Sequence, residues 1–205
     1  MTDSRVRRAY DRLADSYDRR WSTYVDASTD ETLSRMPLAA EMRLLDVGCG
    51  TGVLLDKVVD TYPDIETTGV DMSPEMLKVA RRRLPDGVEL LEADATDLPF
   101  DDDSFDLVVS TSAFHHIDRP QIALEEIHRV LDVSGTLVLT DWCTDFWTTR
   151  LLEWALRLLD PAHHRGYGAD ELTARVQRAG FQKLQLDRYK IQWQWGLMTL
   201  VAHRR

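Results

Sequence analysis

An α/β fold built on a mostly parallel sheet is what the sequence predicts, and two observations carry that reading. Short β-rich runs alternate with segments of helical periodicity through residue 142, the rhythm of strand–helix–strand crossovers. The first of these runs, RLLDV at 43–47, passes directly into Gly48-Cys49-Gly50-Thr51-Gly52 and then into a helical pattern. Open α/β sheets build ligand sites at such turns, at the carboxyl ends of their strands. A chain of 205 residues with 43% hydrophobic content can bury one sizeable core, so one domain spanning 1–205 is expected.

Taken in order, Val6, Tyr10, Leu13, Ala14, Tyr17 and Trp21 recur at helical spacing, so the chain opens with an amphipathic helix whose other face carries Arg and Asp. Strands are predicted at 43–47, 66–71, 88–93, 105–111 and 135–142. Helices lie between them at about 53–62, 74–84 and 120–131, with Ser73-Pro74 and Arg119-Pro120 marking two starts. FWTTRLLEWALRLL at 146–159 places Leu151, Leu152, Ala155, Leu158 and Leu159 on one helical face. PAHHRGYG then breaks the pattern, and ADELTARVQRAGF forms a further helix closed near Gly180. KLQLDRYKI and WGLMTLVAH end the chain as a hairpin.

Charge and cysteine content narrow the function. Against 25 Lys and Arg stand 35 Asp and Glu, a formal net charge of −10, so a broad grip on nucleic acid would oppose the chain's own field. Cys49 and Cys143 are the two cysteines, too few for a disulfide framework or a Cys-based zinc site. No secretion signal and no long apolar run is read in the sequence, so a cytoplasmic chain without stable membrane insertion is expected. His115-His116 and His163-His164 lack the helical spacing and partner carboxylates of a metal site, and no metal is expected. Asp101-Asp102-Asp103 lacks the glycine and distal glutamate of a calcium loop and reads as a solvated turn.

The glycine stretch admits a ligand against the main chain and offers the unpaired N–H groups of a new helix. It departs from the dinucleotide fingerprint, because Val53 stands where the third glycine belongs and Gly52 comes one place early. A compact neutral or cationic ligand is better served there than a pyrophosphate. Asp71 closes the second strand about 20 residues further on, where an acidic side chain can accept from both ribose hydroxyls. Met72 beside it can cover an adenine face.

LLDVGCGTG, GVDMSPEMLKVAR, LEADATDLPFDDDSFDLVVSTSAFHHI and IHRVLDVSGTLVL together resemble the class I S-adenosylmethionine-dependent methyltransferases, in the group of the ubiquinone/menaquinone C-methyltransferases. The resemblance covers about residues 5–142, and LTARVQRAGF and the last hairpin also fit the family's ending. It implies a Rossmann-like, seven-stranded, mostly parallel sheet with helices on both faces and a C-terminal antiparallel hairpin. It further implies a division into a helical lid at 1–40, a cofactor-binding core at 41–142, an acceptor-site cover at 143–168 and a closing helix and hairpin at 169–205.

Carried over by position, the resemblance implies S-adenosylmethionine as cofactor. Asp46, Gly48, Cys49 and Gly50 would surround its methionine portion, Asp71 would hold the ribose, and Met72, Asp94 and Ala95 would meet the adenine. Ser110 and Thr111 would lie near the sulfonium, and Tyr17 would belong to the lid. A sulfonium methyl is already activated, so orientation supplies most of the rate and a base serves only acceptors that must lose a proton. His116 and His115 are the candidate bases, His116 toward the acceptor and His115 also suited to packing. The aromatic residues of 142–167, with Phe146, Trp147 and Trp154, suggest an apolar or aromatic small-molecule acceptor. A phospholipid N-methyltransferase and a non-catalytic cofactor-binding regulator are the alternatives. A monomer or homodimer is expected.

Overall fold

The computed structural model describes residues 4–159 and 166–204. Helix α1 (Ser4–Leu33) runs 30 residues, well beyond the aromatic stripe that announces it. Strand β1 (Arg43–Val47) and helix α2 (Val53–Thr61) flank the glycine turn. Strand β2 (Glu66–Asp71), helix α3 (Pro74–Arg83) and strand β3 (Glu89–Glu92) follow. Ser73 starts α3 by accepting a hydrogen bond from the Met76 amide, with Pro74 in the first turn, which satisfies one orphan donor and presets the backbone.

Beyond them come β4 (Phe105–Thr111), a 3₁₀ turn at Phe114–His116, α4 (Pro120–Val130) and β5 (Leu131–Trp142). The chain closes with α5 (Trp147–Leu159), α6 (Ala169–Arg178), β6 (Gln182–Lys190) and β7 (Gly196–His203). Strand β5 starts four residues earlier than its apolar run suggests. Leu131 pairs with Phe105, and after a register shift Thr136 pairs with Leu107. The β4 edge thus recruits Leu131 into the ladder, and residues 132–135 bulge between it and Thr136.

The seven strands form one sheet in the order β3-β2-β1-β4-β5-β7-β6. All pairs from β3 to β5 are parallel, and β7 pairs antiparallel with both β5 and β6. Alternation along the central strands feeds two cores. Leu45, Val47, Val108, Leu137 and Leu139 join Leu124, Ile127, Leu172 and Val176 of α4 and α6. Leu44, Leu107, Val109 and Val138 join Leu54, Leu55, Val58, Leu77 and Ala80 of α2 and α3. Chain order reverses between β1 and β4, and a crevice opens above their carboxyl ends.

Candidate active site

The glycine turn sits at that crevice. A Cβ on Gly48 would stand 2.4 Å from the Ala113 Cβ, so this glycine lets the loop after β1 touch the loop after β4. A Cβ on Gly50 would meet no atom within 4 Å; it would project into open space beside a backbone held at φ +54°. One glycine therefore serves the fold, while the other leaves room at the wall of a cavity.

That cavity lies between the turn and α1. It is lined by Val6, Tyr10, Tyr17 and Tyr24 of α1, by Asp46 to Thr51, by Asp71 and Met72, by Ala93 to Thr96, by Thr111 to Ala113, and by His116 to Arg119. Of the residues anticipated from sequence, Asp46, Gly48, Cys49, Gly50, Asp71, Met72, Asp94, Ala95, Thr111, Tyr17 and His116 meet there. Ser110 and His115 do not line it.

The Ser110 hydroxyl donates to the Val47 carbonyl at 2.8 Å and is fully buried, so it ties β4 to β1 instead of facing the cavity. Alternation along β4 sends it into the sheet, whereas Thr111 and then Ser112 emerge at the strand's end. Asp94 lies two residues past the end of β3, and its Oδ1 accepts from the Thr96 amide and hydroxyl.

Two carboxylates, Asp46 buried and Asp71 half-buried, dominate the electrostatics. Asp46 is 2% exposed, and its Oδ1 has no hydrogen-bond partner among the described residues. Burial, reinforced by the nearby Asp71 charge, pushes its pKa up to about 8. Burial also raises Asp71, to about 6, against the restraining hydrogen bonds of the Ser73 and Gly50 amides. Those amides donate to Asp71 Oδ1 and Oδ2 at 2.8 Å, and each oxygen retains a lone pair for a further donor. Tyr17 is pushed up to about 12 by burial, then by the charges of Asp18 and Asp71, so its phenol stays neutral. An orphaned acidic oxygen in a cavity walled by tyrosines suits a cation.

The histidine pair is split by its surroundings. The buried His115 Nδ1 lies 2.7 Å from Asp141 Oδ1, and its amide donates to Asp141 Oδ2 at 2.8 Å. Its ring stacks on Trp142 with centroids 5.1 Å apart. His116 faces the cavity, and its Nε2 lies 2.6 Å from the Tyr10 hydroxyl. The two rings still lie side by side, with centroids 3.9 Å apart, and differ in the polar partner each one reaches.

Sequence reasoning missed Asp141, Ser112 and Tyr24. The Tyr24 hydroxyl is 2.6 Å from Ser112 Oγ and accepts from the Trp142 indole at 2.7 Å. Ser112 adopts φ +56° at the strand exit. Nothing in the local pattern marks these residues, since their partners lie far along the chain.

The aromatic residues anticipated around the acceptor are divided between a small core and the surface. Trp142 packs with Tyr24 and Leu197 in a small aromatic core joined by Trp195. Trp147 and Trp154 are 71% and 64% exposed. His163 and His164 lie outside the described residues. Among the described residues no group of His, Cys, Asp and Glu could hold a metal, and no helix is long and apolar enough to cross a membrane.

Comparison with known proteins places this geometry. Residues 45–139 match the family model described as a methyltransferase domain. The demethylmenaquinone methyltransferase of Clavibacter sepedonicus is 36% identical over 143 residues, which cover 66% of this chain and 57% of that protein. The malonyl-[acyl-carrier protein] O-methyltransferase of Laribacter hongkongensis is 33% identical over 198 residues, covering 90% and 66%. The chain thus spans between about half and two thirds of the length of these relatives. A chain of the Haloferax volcanii complex between the Trm112 methyltransferase activator and a methyltransferase superposes with a TM-score of 0.83 at 26% identity, covering 95% of this chain and 96% of that one. Fold, glycine turn, acidic cavity and sequence agree, and the chain belongs to the class I S-adenosylmethionine-dependent methyltransferases.

Proposed function

We propose that this chain methylates a small apolar or aromatic organic acceptor. The observation that carries this reading is the unpartnered Asp46 oxygen inside a tyrosine-walled cavity. S-adenosylmethionine supplies an activated methyl group when bound, and its ammonium and sulfonium are the cations this cavity favours. In this reading Asp46 holds the ammonium and Asp71 accepts from the ribose hydroxyls. Gly48, Cys49 and Gly50 form the floor, Met72, Asp94 and Ala95 surround the base, and Tyr17 closes the cavity from the lid at 1–40. Thr111 stands at the strand end beneath the transferring group.

The acceptor side is supported by Tyr10, Ile117 and His116 on the cavity wall and by the names of relatives that act on quinone precursors. In this reading His116 removes a proton from an acceptor hydroxyl or acidic carbon; the Tyr10 hydroxyl 2.6 Å from its Nε2 on the cavity side supports that role. His115, held by Asp141, orients the turn from behind. Orientation of the acceptor in line with the methyl carries the remainder of the rate.

Radiolabelled S-adenosylmethionine with a panel of quinols, phenols, amines and phospholipids tests the reading. Label is expected on a quinol or phenol. His116→Ala lowers turnover about a hundredfold with cofactor affinity kept. His115→Ala leaves Asp141 short of a partner and costs about 1–3 kcal/mol of stability. Tight cofactor binding without label on any acceptor would make this a binding protein; label on phospholipid amines alone would move the acceptor class.

A further inference from the structure

Seven large apolar side chains are exposed among the described residues, and four of them gather at one place. Trp147, Leu151 and Trp154 of α5 are 71%, 59% and 64% exposed, and Trp193 of the β6–β7 turn is 76% exposed. Spacing of four and then three residues puts the α5 members on one helical face. The helix is inverted relative to an ordinary surface helix: Thr148 and Thr149 are buried while this face meets solvent.

The inversion is built in. The Thr149 hydroxyl accepts from the Gly196 amide at 2.9 Å. Lys190 Nζ donates to Thr148 Oγ1 at 3.1 Å and to the Trp193 carbonyl at 3.0 Å, and lies 5.5 Å from the centre of the Phe146 ring. Strand β6, the β6–β7 turn and α5 are thereby clamped, with Trp193 held at the same end as Trp147.

Charge at this place runs against the rest of the chain. Among the described side chains of segments 145–154 and 188–195, Arg150, Arg188 and Lys190 stand against Asp145, whereas the whole chain carries −10. Arg150, Arg188 and Lys190 are exposed, and Arg188 pairs with Asp145 at 3.1 Å. Tryptophan is the side chain that favours the boundary between headgroups and acyl chains, where its ring is buried and its N–H stays wet. An exposed Trp/Leu face bordered by cations has the composition of a helix that lies in a bilayer interface.

We propose that α5 and the β6–β7 turn dock this protein on anionic lipid bilayers, with Trp147, Leu151, Trp154 and Trp193 entering the interfacial layer and Arg150 and Lys190 meeting lipid phosphates. Docking goes beyond methyl transfer and does not depend on it, since vesicle binding reads no chemistry. The patch joins, through Trp195 and Trp142, the aromatic core behind His115, so a docked molecule presents the acceptor side of its fold to the membrane.

The full chain is to be sedimented with vesicles of phosphatidylglycerol and phosphatidylcholine in equal parts, and with phosphatidylcholine alone. Binding to the mixed vesicles is expected, with a blue shift of tryptophan emission and release by high salt. The variant Trp147→Ser/Leu151→Ser/Trp154→Ser, all at exposed positions, is expected to bind at least about tenfold more weakly, and Arg150→Glu to bind the mixed vesicles more weakly. Cofactor binding by the variants certifies their fold. Wild-type chain left in the supernatant with both vesicles overturns the proposal, as does equal binding by the triple variant. A vesicle-free dimer that the same substitutions disperse would make this face a self-association surface and would overturn it too.

Discussion

Asp46 joins burial, charge and ligand choice in one side chain. Its folded pKa of about 8 lies far above that of an unfolded aspartate, so between pH of about 4 and 8 the folded chain keeps a proton that the unfolded chain has lost. Stability is fully present below that window and falls as pH rises through it, by about 1.4 kcal/mol per unit. Asp71, raised to about 6, adds to the slope in the lower half. The melting temperature of the ligand-free protein is therefore expected to drop between pH 6 and 8. Asp46→Asn should remove most of that drop and melt higher at pH 8, while binding S-adenosylhomocysteine about tenfold more weakly or worse. Equal slopes in both proteins would show that the folded carboxylate is not held protonated. Calorimetric melts across the window decide it.

At the scale of elements, α1 is fastened at both ends by different means. Toward its C-terminus, Thr32 donates to Thr140 at 2.8 Å inside the core, and the buried Ser28 and Thr29 return their hydroxyls to the helix's own carbonyls. Toward its N-terminus it is held over the cavity by polar contacts. Asp18 meets Arg83 and Thr51 at 2.6 Å each, Asp11 accepts from Ser73 at 2.7 Å, and Tyr10 reaches His116. Arg82 also meets Asp15, but both are well exposed, so that pair contributes little. An apolar stripe alone would let the helix slide along α3; the half-buried Asp18 contact fixes its position over the glycine turn. Asp18→Ala is expected to speed release of S-adenosylhomocysteine about threefold to tenfold while costing about 1 kcal/mol or less of stability. Stopped-flow displacement measures the release rate. An unchanged rate would mean that the front of α1 does not limit exit.

For the whole molecule, the cofactor is a folding ligand as well as a reactant. A ligand at a hundred times its dissociation constant adds about 2.7 kcal/mol to the native state, which in a domain of about 200 residues raises the melting temperature by about 5–10 °C. S-adenosylhomocysteine should produce such a shift. NAD should not, because Gly52, the N-cap of α2, comes one residue before the third glycine of the dinucleotide pattern, and Asp71, whose pKa of about 6 leaves it charged at neutral pH, opposes a pyrophosphate. Comparable shifts from both, read in one thermal scan, would overturn the cationic-ligand assignment.

Much of the fold is written in local patterns. The bounds of β1, β2 and β4, the Pro starts of α3 and α4, and the glycine turn follow from apolar periodicity and from residues with one dominant backbone use. The site could be read as far as its loop positions, because every strand of a parallel sheet ends on the same side. Sequence alone determined the sheet, the turn and the family. Tertiary structure decided which side chain faces what: Ser110 turned into the sheet, His115 against Asp141, and His116 against a tyrosine 106 residues away. It also decided that the tryptophans of α5 face outward. Periodicity records which residues share a face of their own element. The other elements that pack there, and the polar partners they bring, are set by chain crossings that no local spacing records.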